Sequence, residues 1–440
     1  MARYDRQERL WGQEGQAKLA DSTIAIIGED PFAFPAALNA ALVGVNARLF
    51  ISGIGVEGSY ALDFTLKGRN LSAEYTDVLQ KINPFVRVSG LPVTFESRED
   101  NHFLDGVEAI VDATNNPVSK KVGLEFALQR RIQFISMQSI EGYSVIETGN
   151  HTDGQFKGAP KDCCLAWPAG ALAIEKAIRF MVYKQIEDEP LFLNPGYTFP
   201  FDHTSDAKLP DKNQLSGKTV MVVGVGGQGC FAVPILVESN PARVIYVDHD
   251  SVKDHNLSRQ PFYWDSVGRY KAEVCAEKHN KMVGGEIAVP LVRKFDEHFD
   301  YPEQIDVIYG FTDSMFSRML ISHYCSRKGI TFIAAGSDPG GAEFCSYVPG
   351  ITSCYIHQYL ALIESAKQEE RIARQGCIDN PNAQVVMPNC FAGSMAVTMS
   401  GYDATPFSGR LTYRPSTPAF GRLSKEPCRC HIDGPPDLRI

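Results

Sequence analysis

No stretch of this chain approaches about 18 consecutive apolar residues, so nothing in it has the length needed to cross a bilayer as a helix. Positive charge is in deficit as well: 43 Lys and Arg stand against 52 Asp and Glu, a net charge of −9. That deficit argues against a broad nucleic-acid surface, because phosphate recognition needs clustered cations. A compact, even-numbered set of cysteines is also lacking; eleven are scattered over 440 residues. An odd, dispersed set fits free thiols, a metal site or a reactive cysteine in a reducing compartment rather than a disulfide framework. Behind the charges of Met-Ala-Arg-Tyr-Asp-Arg-Gln-Glu-Arg there is no apolar run, so no signal peptide is expected and the expected location is cytoplasmic. The 44% hydrophobic and 22% charged residues exclude a disordered composition, and the length predicts two to four domains.

What is present is a repeat. Ser22-Thr-Ile-Ala-Ile-Ile-Gly28 and Lys218-Thr-Val-Met-Val-Val-Gly224 are short apolar runs ending in glycine, as in strands buried on both faces of a parallel sheet. A helical stretch and a second strand follow each: Ala47-Arg-Leu-Phe-Ile in one half, Ala242-Arg-Val-Ile-Tyr-Val in the other. Further on, Ala109-Ile-Val-Asp-Ala-Thr-Asn115 matches Val307-Ile-Tyr-Gly-Phe-Thr-Asp313. Gly28 to Gly224 is 196 residues and Asn115 to Asp313 is 198, a nearly constant offset that marks an internal duplication. The expected fold is therefore α/β: two tandem Rossmann-like units, each a mostly parallel sheet flanked by helices, forming a pseudo-dimer. Residues 1–185 form the first unit, a Pro-, Asp- and Gly-bearing linker covers 186–216, and 217–440 form the second.

The chemistry gathers in the second unit. Gly224-Val-Gly-Gly-Gln-Gly229 lets the backbone turn tightly against a phosphate at a helix N-terminus. Asp248 and Asp250 close the second strand, where a carboxylate can take a ribose hydroxyl pair. A nicotinamide dinucleotide would account for that much. It does not account for Asn256-Leu-Ser-Arg259-Gln260 and Lys271, since cations converging on phosphates serve phosphoryl chemistry rather than hydride transfer. Asp313, after the strand at 305–311, is placed to hold Mg²⁺ at the carboxyl end of the sheet.

This ordered set resembles the ubiquitin-activating superfamily, with its ThiF-, MoeB- and HesA-type adenylyltransferases. The resemblance extends to Arg3-Tyr-Asp-Arg6-Gln at the N-terminus. It implies ATP and Mg²⁺ as cofactors, Gly224, Gly226, Gly227, Gly229 and Asp248 around the nucleotide, and Asn256, Arg259, Gln260 and Lys271 on its phosphates. It implies further that Arg6 enters the nucleotide site from the partner unit. The first copy lacks this machinery: Glu-Asp-Pro-Phe-Ala-Phe follows Gly28, Gly53 stands where the ribose carboxylate would be, and Asn115 replaces the metal aspartate. Residues 1–185 are accordingly expected to be an inactive partner supplying Arg6.

Pro349-Gly-Ile-Thr-Ser-Cys354-Tyr-Ile-His357 resembles the family's first pair of structural zinc ligands, with His in place of the second Cys. The distal pair would be Cys428 and His431, with Cys430 as the alternative ligand. Cys377, flanked by Arg374-Gln-Gly, lies where the family's crossover loop carries a cysteine able to attack an acyl-adenylate. The expected reaction joins a carboxylate to ATP, giving acyl-AMP and pyrophosphate. Its partner would be the C-terminus of a ubiquitin-like protein, and the acyl group would pass to Cys377 or to another acceptor. The alternative is an enzyme that adenylates a ribosomal precursor peptide in natural-product biosynthesis; an NAD-dependent oxidoreductase and a non-catalytic scaffold complete the field. No nucleic-acid or membrane partner is expected. The two halves would pair within one chain, with further dimerisation left open.

Overall fold

The computed structural model describes residues 2–28, 32–56, 60–140, 143–148, 163–184, 191–193, 215–374, 383–400, 409–414, 419–423, 427–433 and 438. The N-terminal unit opens with α1 (Asp5–Asp21), bent at Gly12, whose φ of +75° only glycine adopts without strain. Its strands are β1 (Thr23–Gly28), β2 (Asn46–Ile51), the hairpin β3 (Tyr60–Ala61) and β4 (Phe64–Thr65), β5 (Val88–Leu91), β6 (Ala109–Ala113), β7 (Gln133–Ile140), β8 (Tyr143–Thr148) and β9 (Leu191–Leu193). Helices α2 (Ala33–Val43), α3 (Leu71–Ile82), α4 (Pro117–Arg130) and α5 (Cys163–Tyr183) alternate with them. The sheet runs β5-β2-β1-β6-β7-β8-β9, parallel through β7 and antiparallel for its last two strands. Leu191–Leu193 thus lies inside the stretch expected to be a linker: the Leu-Phe-Leu run caps the sheet edge.

The C-terminal unit repeats the plan. Strands β10 (Thr219–Val223), β11 (Arg243–Val247), β12 (Ala288–Leu291), β13 (Val307–Gly310), β14 (Thr331–Asp338), β15 (Gly341–Tyr347), β16 (Gly409–Arg414) and β17 (Ala419–Leu423) form a sheet ordered β12-β11-β10-β13-β14-β15-β16-β17. Its helices are α6 (Gly229–Glu238), α7 (Lys271–Val283), α8 (Met315–Lys328), α9 (Tyr355–Gln358), α10 (Ile363–Arg374), α11 (Val386–Met399) and α12 (Cys430–Asp433). The duplication reaches the hydrogen bonds. Glu108 accepts from the N–H that starts β1 at 2.7 Å, and Asp306 accepts from the N–H that starts β10 at 2.8 Å.

The halves share one core. α2 and α11 are buried along their whole lengths, as helices without a polar face must be. Trp167 of α5 lies 6.1 Å from Phe34 on one side and 6.1 Å from Phe231 of α6 on the other, so the indole bridges the units. Ile26, Leu38, Val222 and Phe391 belong to one continuous apolar cluster. Separating the units would expose a continuous apolar surface, at roughly 25 cal/mol per Å².

In both sheets the strand order reverses between the first strand and the fourth (β1 and β6; β10 and β13), which pair in parallel. This is the switch point at which open α/β sheets leave a crevice at their carboxyl ends.

Candidate functional site

At the carboxyl end of β10, Gly224 turns with φ +86°, and a Cβ there would lie 2.9 Å from the carbonyl oxygen of Phe311. A Cβ on Gly227 would press within 3.0 Å of Asn389 Oδ1, and one on Gly229 would collide with the Gly224 carbonyl. At these three positions the backbone is bare because the residue after β13, Asn389 of α11 and the turn itself leave no room for side chains. Gly226 differs: a Cβ there would meet only Gln260 Nε2, at 3.8 Å. Beneath the turn, Gln228 donates to Ala335 O at 2.9 Å and accepts from Ser337 N–H at 2.9 Å, while the Ser337 hydroxyl donates to Asn389 at 2.8 Å. The Tyr263 hydroxyl holds the Val225 carbonyl from below. None of these four side chains was assigned from the sequence, because their roles arise from contacts between distant segments.

Asp248 follows β11 and is clamped by two backbone donors, Val225 N–H at 2.9 Å and Asp250 N–H at 2.8 Å. Burial raises its pKa, against the opposing pull of Lys271 and these hydrogen bonds. Lys271, the first residue of α7, donates to Asp250 Oδ2 at 3.0 Å. Burial alone would push the Asp250 carboxyl up; the Lys271 ammonium outweighs it and holds the group below the ordinary range. Asp313 is exposed three residues beyond β13, and its position is set by Ser314, whose hydroxyl caps α8 through Ser317 N–H at 2.9 Å. The structure therefore aligns the glycine-rich turn, Asp248, Asp250 and Asp313 along the carboxyl ends of three adjacent strands, with Lys271 joined to Asp250.

Asn256, Arg259 and Gln260 are buried on the turn that follows. Asn256 accepts from Lys253 N–H at 2.9 Å, and Arg259 donates to the His255 carbonyl at 2.7 Å. Arg259 is only 5% exposed, and its Nε has no hydrogen-bond partner; neither does Gln260 Oε1. Burial lowers the Arg259 pKa to about 10, and the next cause is the positive charge of Arg6 from the other half. Burial, Arg259 and Arg6 also lower the pKa of His255. The Arg6 guanidinium of the other unit is thus within electrostatic reach of Arg259 and His255, with the Asp5 carboxylate opposing it. Arg3, in the motif but not assigned from the sequence, donates to Ile82 O at 2.7 Å and Leu257 O at 3.0 Å, tying α3 to this turn.

In the N-terminal unit, Ala33 Cβ lies 2.6 Å from where a Cβ on Gly28 would stand, and Phe32 is buried beside it. Glu29, Asp30 and Pro31 lie outside the described residues. Sheet register corrects one assignment: Thr23 faces Asn46 and Thr219 faces Arg243, so Ile51, not Gly53, stands at the level of Asp248. Ile51 is a buried strand residue and carries no carboxylate.

Cys354, His357, Cys428 and Cys430 form a second cluster, with ligand atoms all within 4.8 Å of one another. Cys354 Sγ and Cys430 Sγ each lie 3.2 Å from His357 Nδ1 and 3.7 Å from each other. A tetrahedral ion with Zn–S of about 2.3 Å requires S–S separations of about 3.7 Å, so the donor set fits zinc. Burial would raise the Cys428 thiol, but the N–H groups of Cys430 and Cys354 outweigh it and bring its pKa down, favouring a thiolate. The alternative ligand Cys430 thus joins the cluster, while the His431 side chain and the whole of Cys377 lie outside the described residues.

Fold and site together define a duplicated α/β protein of Rossmann type with the equipped switch point in its second copy. Residues 203–417 match the model of the ThiF family. It is 24% identical over 190 residues to ubiquitin-like modifier-activating enzyme 5 of Drosophila grimshawi, covering 38% of this chain and 46% of the relative. It is 32% identical over 125 residues to the adenylyltransferase and sulfurtransferase UBA4 of Saccharomyces cerevisiae, covering 28% of each. These matches span less than half the length of either relative. The structure of E. coli MccB with succinimide superposes with a TM-score of 0.42 at 18% identity, covering 66% of this chain and 94% of that one.

Proposed function

We propose that this chain is an ATP-dependent adenylyltransferase that activates a carboxylate at the C-terminus of a ubiquitin-like protein or peptide. The observation that carries this reading is the buried Arg259, 5% exposed with an unpartnered Nε, on the turn that follows the glycine-rich turn and Asp248. A buried cation calls for an anion beside it, and a nucleotide α-phosphate supplies one. The match to the ThiF family model and relatives named as activating enzymes and adenylyltransferases support the same chemistry.

In this reading a carboxylate oxygen attacks the α-phosphorus; the acyl–oxygen–phosphorus bond forms as the α–β anhydride breaks, and pyrophosphate leaves with the electron pair. Asp248 binds the ribose hydroxyls and the glycine-rich backbone lies against the phosphates. Arg6, Arg259 and Lys271 neutralise charge as it develops, which lowers the barrier without a protein nucleophile. Asp313 would hold Mg²⁺, which supplies charge neutralisation on the phosphate oxygens. The N-terminal unit, with Ile51 and Asn115 in place of the two carboxylates, serves as an inactive partner. The zinc cluster is structural, and Cys377 is the proposed acceptor of the acyl group.

ATP–pyrophosphate exchange with candidate carboxylate peptides tests this directly. Exchange in the wild type that falls about 100-fold in Asp313→Asn supports the proposal. Equal exchange in the two proteins, or uptake of NAD in place of ATP-Mg by calorimetry, would overturn it.

A further inference from the structure

The β3–β4 hairpin has a counterpart in the second unit. An isolated bridge joins Ile54 to Asn70 just before α3, and another joins Ser251 to Tyr270 just before α7. Between these bridges the first unit carries the hairpin and the second carries Asn256, Arg259 and Gln260. The hairpin has exchanged phosphate ligands for a clamp on the other half. Asp63, at its tip, accepts from Lys281 Nζ at 2.9 Å through Oδ2, and its Oδ1 lies 3.6 Å from Lys278 Nζ. Lys278 donates to Asp265 at 2.8 Å. Phe64 packs on Trp264 with ring centroids 5.8 Å apart; Lys278 lies 5.5 Å from the Trp264 centroid and Lys281 lies 5.6 Å from that of Phe64. Asp63-Phe64 and Trp264-Asp265 therefore interleave around two lysines of one helix.

That helix is α7, and its first residue is Lys271. Lys278 follows by seven residues, two turns, so both lysines lie on one face, and both are buried. The Asp63 side chain is 6% exposed. Removing its charge leaves the Lys278 ammonium, 5% exposed, with Asp265 alone, while Lys281 is 60% exposed and turns to solvent; a half-compensated charge in a poorly solvated place is expensive. A shift of α7 relieves that imbalance and carries Lys271 with it. We propose that Asp63 is a positioning residue for the nucleotide site of the opposite unit, holding α7, and through it Lys271, by an inter-unit ion pair. This rests on the adenylation reading only in naming ATP as the ligand.

The test uses the full chain as wild type, Asp63→Asn and Asp63→Glu, with Ile110→Val as a control that trims the core far from α7. Amide exchange over residues 271–275 without nucleotide, the calorimetric Kd for ATP-Mg and the Tm are read together. Asp63→Asn is expected to speed exchange at those amides at least fivefold and to raise Kd about tenfold, with Asp63→Glu restoring both. Ile110→Val is expected to lower Tm at unchanged Kd. If Asp63→Asn loses Tm like the control yet keeps the wild-type Kd, Asp63 is a structural tie only and the inference fails. Should the wild type itself ignore ATP-Mg, the adenylation reading falls, and unaltered exchange at 271–275 would then overturn the role of Asp63 separately.

Discussion

The guanidinium of Arg3 donates to the Leu257 carbonyl at 3.0 Å across 254 residues of sequence, and to the Ile82 carbonyl at 2.7 Å. One buried side chain therefore fixes the N-terminal arm, the end of α3 and the turn that presents Arg259. Replacing it by alanine strands two carbonyls in poorly solvated surroundings, at about 1–3 kcal/mol for each left unsatisfied. Arg3→Ala should lower the Tm and weaken ATP-Mg binding together, by thermal unfolding and calorimetry. A Tm loss with unchanged nucleotide affinity would mean that the arm does not position the turn.

Lys271 is proposed to neutralise the transferring phosphate, and its removal has two readouts. In Lys271→Met, ATP–pyrophosphate exchange should fall about 100- to 1000-fold, as when one donor to a developing oxyanion is lost. The Asp250 carboxyl, held low by that ammonium, should titrate at higher pH, visible by carbon NMR of the side chain. An unmoved Asp250 titration would contradict the 3.0 Å pair.

For the Cys354, His357, Cys428 and Cys430 cluster we expect one zinc per chain by plasma emission spectrometry. Cys354→Ser should lose the metal and roughly 5–10 °C of Tm, since binding energy at a structural site is folding energy. Because thiols must deprotonate to bind, retention of zinc should weaken as pH falls. Wild-type protein free of zinc after expression in zinc-replete medium would refute the assignment.

His279 is fully buried, its Nδ1 is 2.7 Å from the Tyr246 hydroxyl, and burial holds its pKa at about 4. Between that value and the ordinary 6.5 the unfolded chain binds a proton that the native state excludes. Stability from this group is therefore intact above pH 6.5 and is lost as pH drops towards 4, by about 3 kcal/mol over the window. Urea unfolding at stepped pH should show this slope in the wild type and a flatter one in His279→Gln. Parallel slopes would exclude His279 as the source.

The placement of the candidate residues was legible because it follows the local strand–turn–helix order. A glycine-rich turn must directly follow a buried strand, a carboxylate must end the next strand, and a lysine must open a helix, so Gly224, Asp248 and Lys271 declare themselves by spacing. Ile51 was misjudged as Gly53 because strand register, not residue count, decides which side chain stands level with Asp248. Arg3, Asn389, Ser337 and Asp63 gave no local signal. Each works through a partner 50 to 260 residues away, and only packing reveals the pair.

By itself the sequence determined that this is a duplicated α/β chain and that one copy bears the glycine-rich turn with its following carboxylates and cations, since periodicity and motif spacing are short-range properties of the backbone. The tertiary structure alone decided that the halves share a core and that Cys430 joins the sulfur cluster. Those facts depend on which surfaces bury one another. Burial between distant segments follows from shape and the loss of water, and neither is written in the order of residues along the chain.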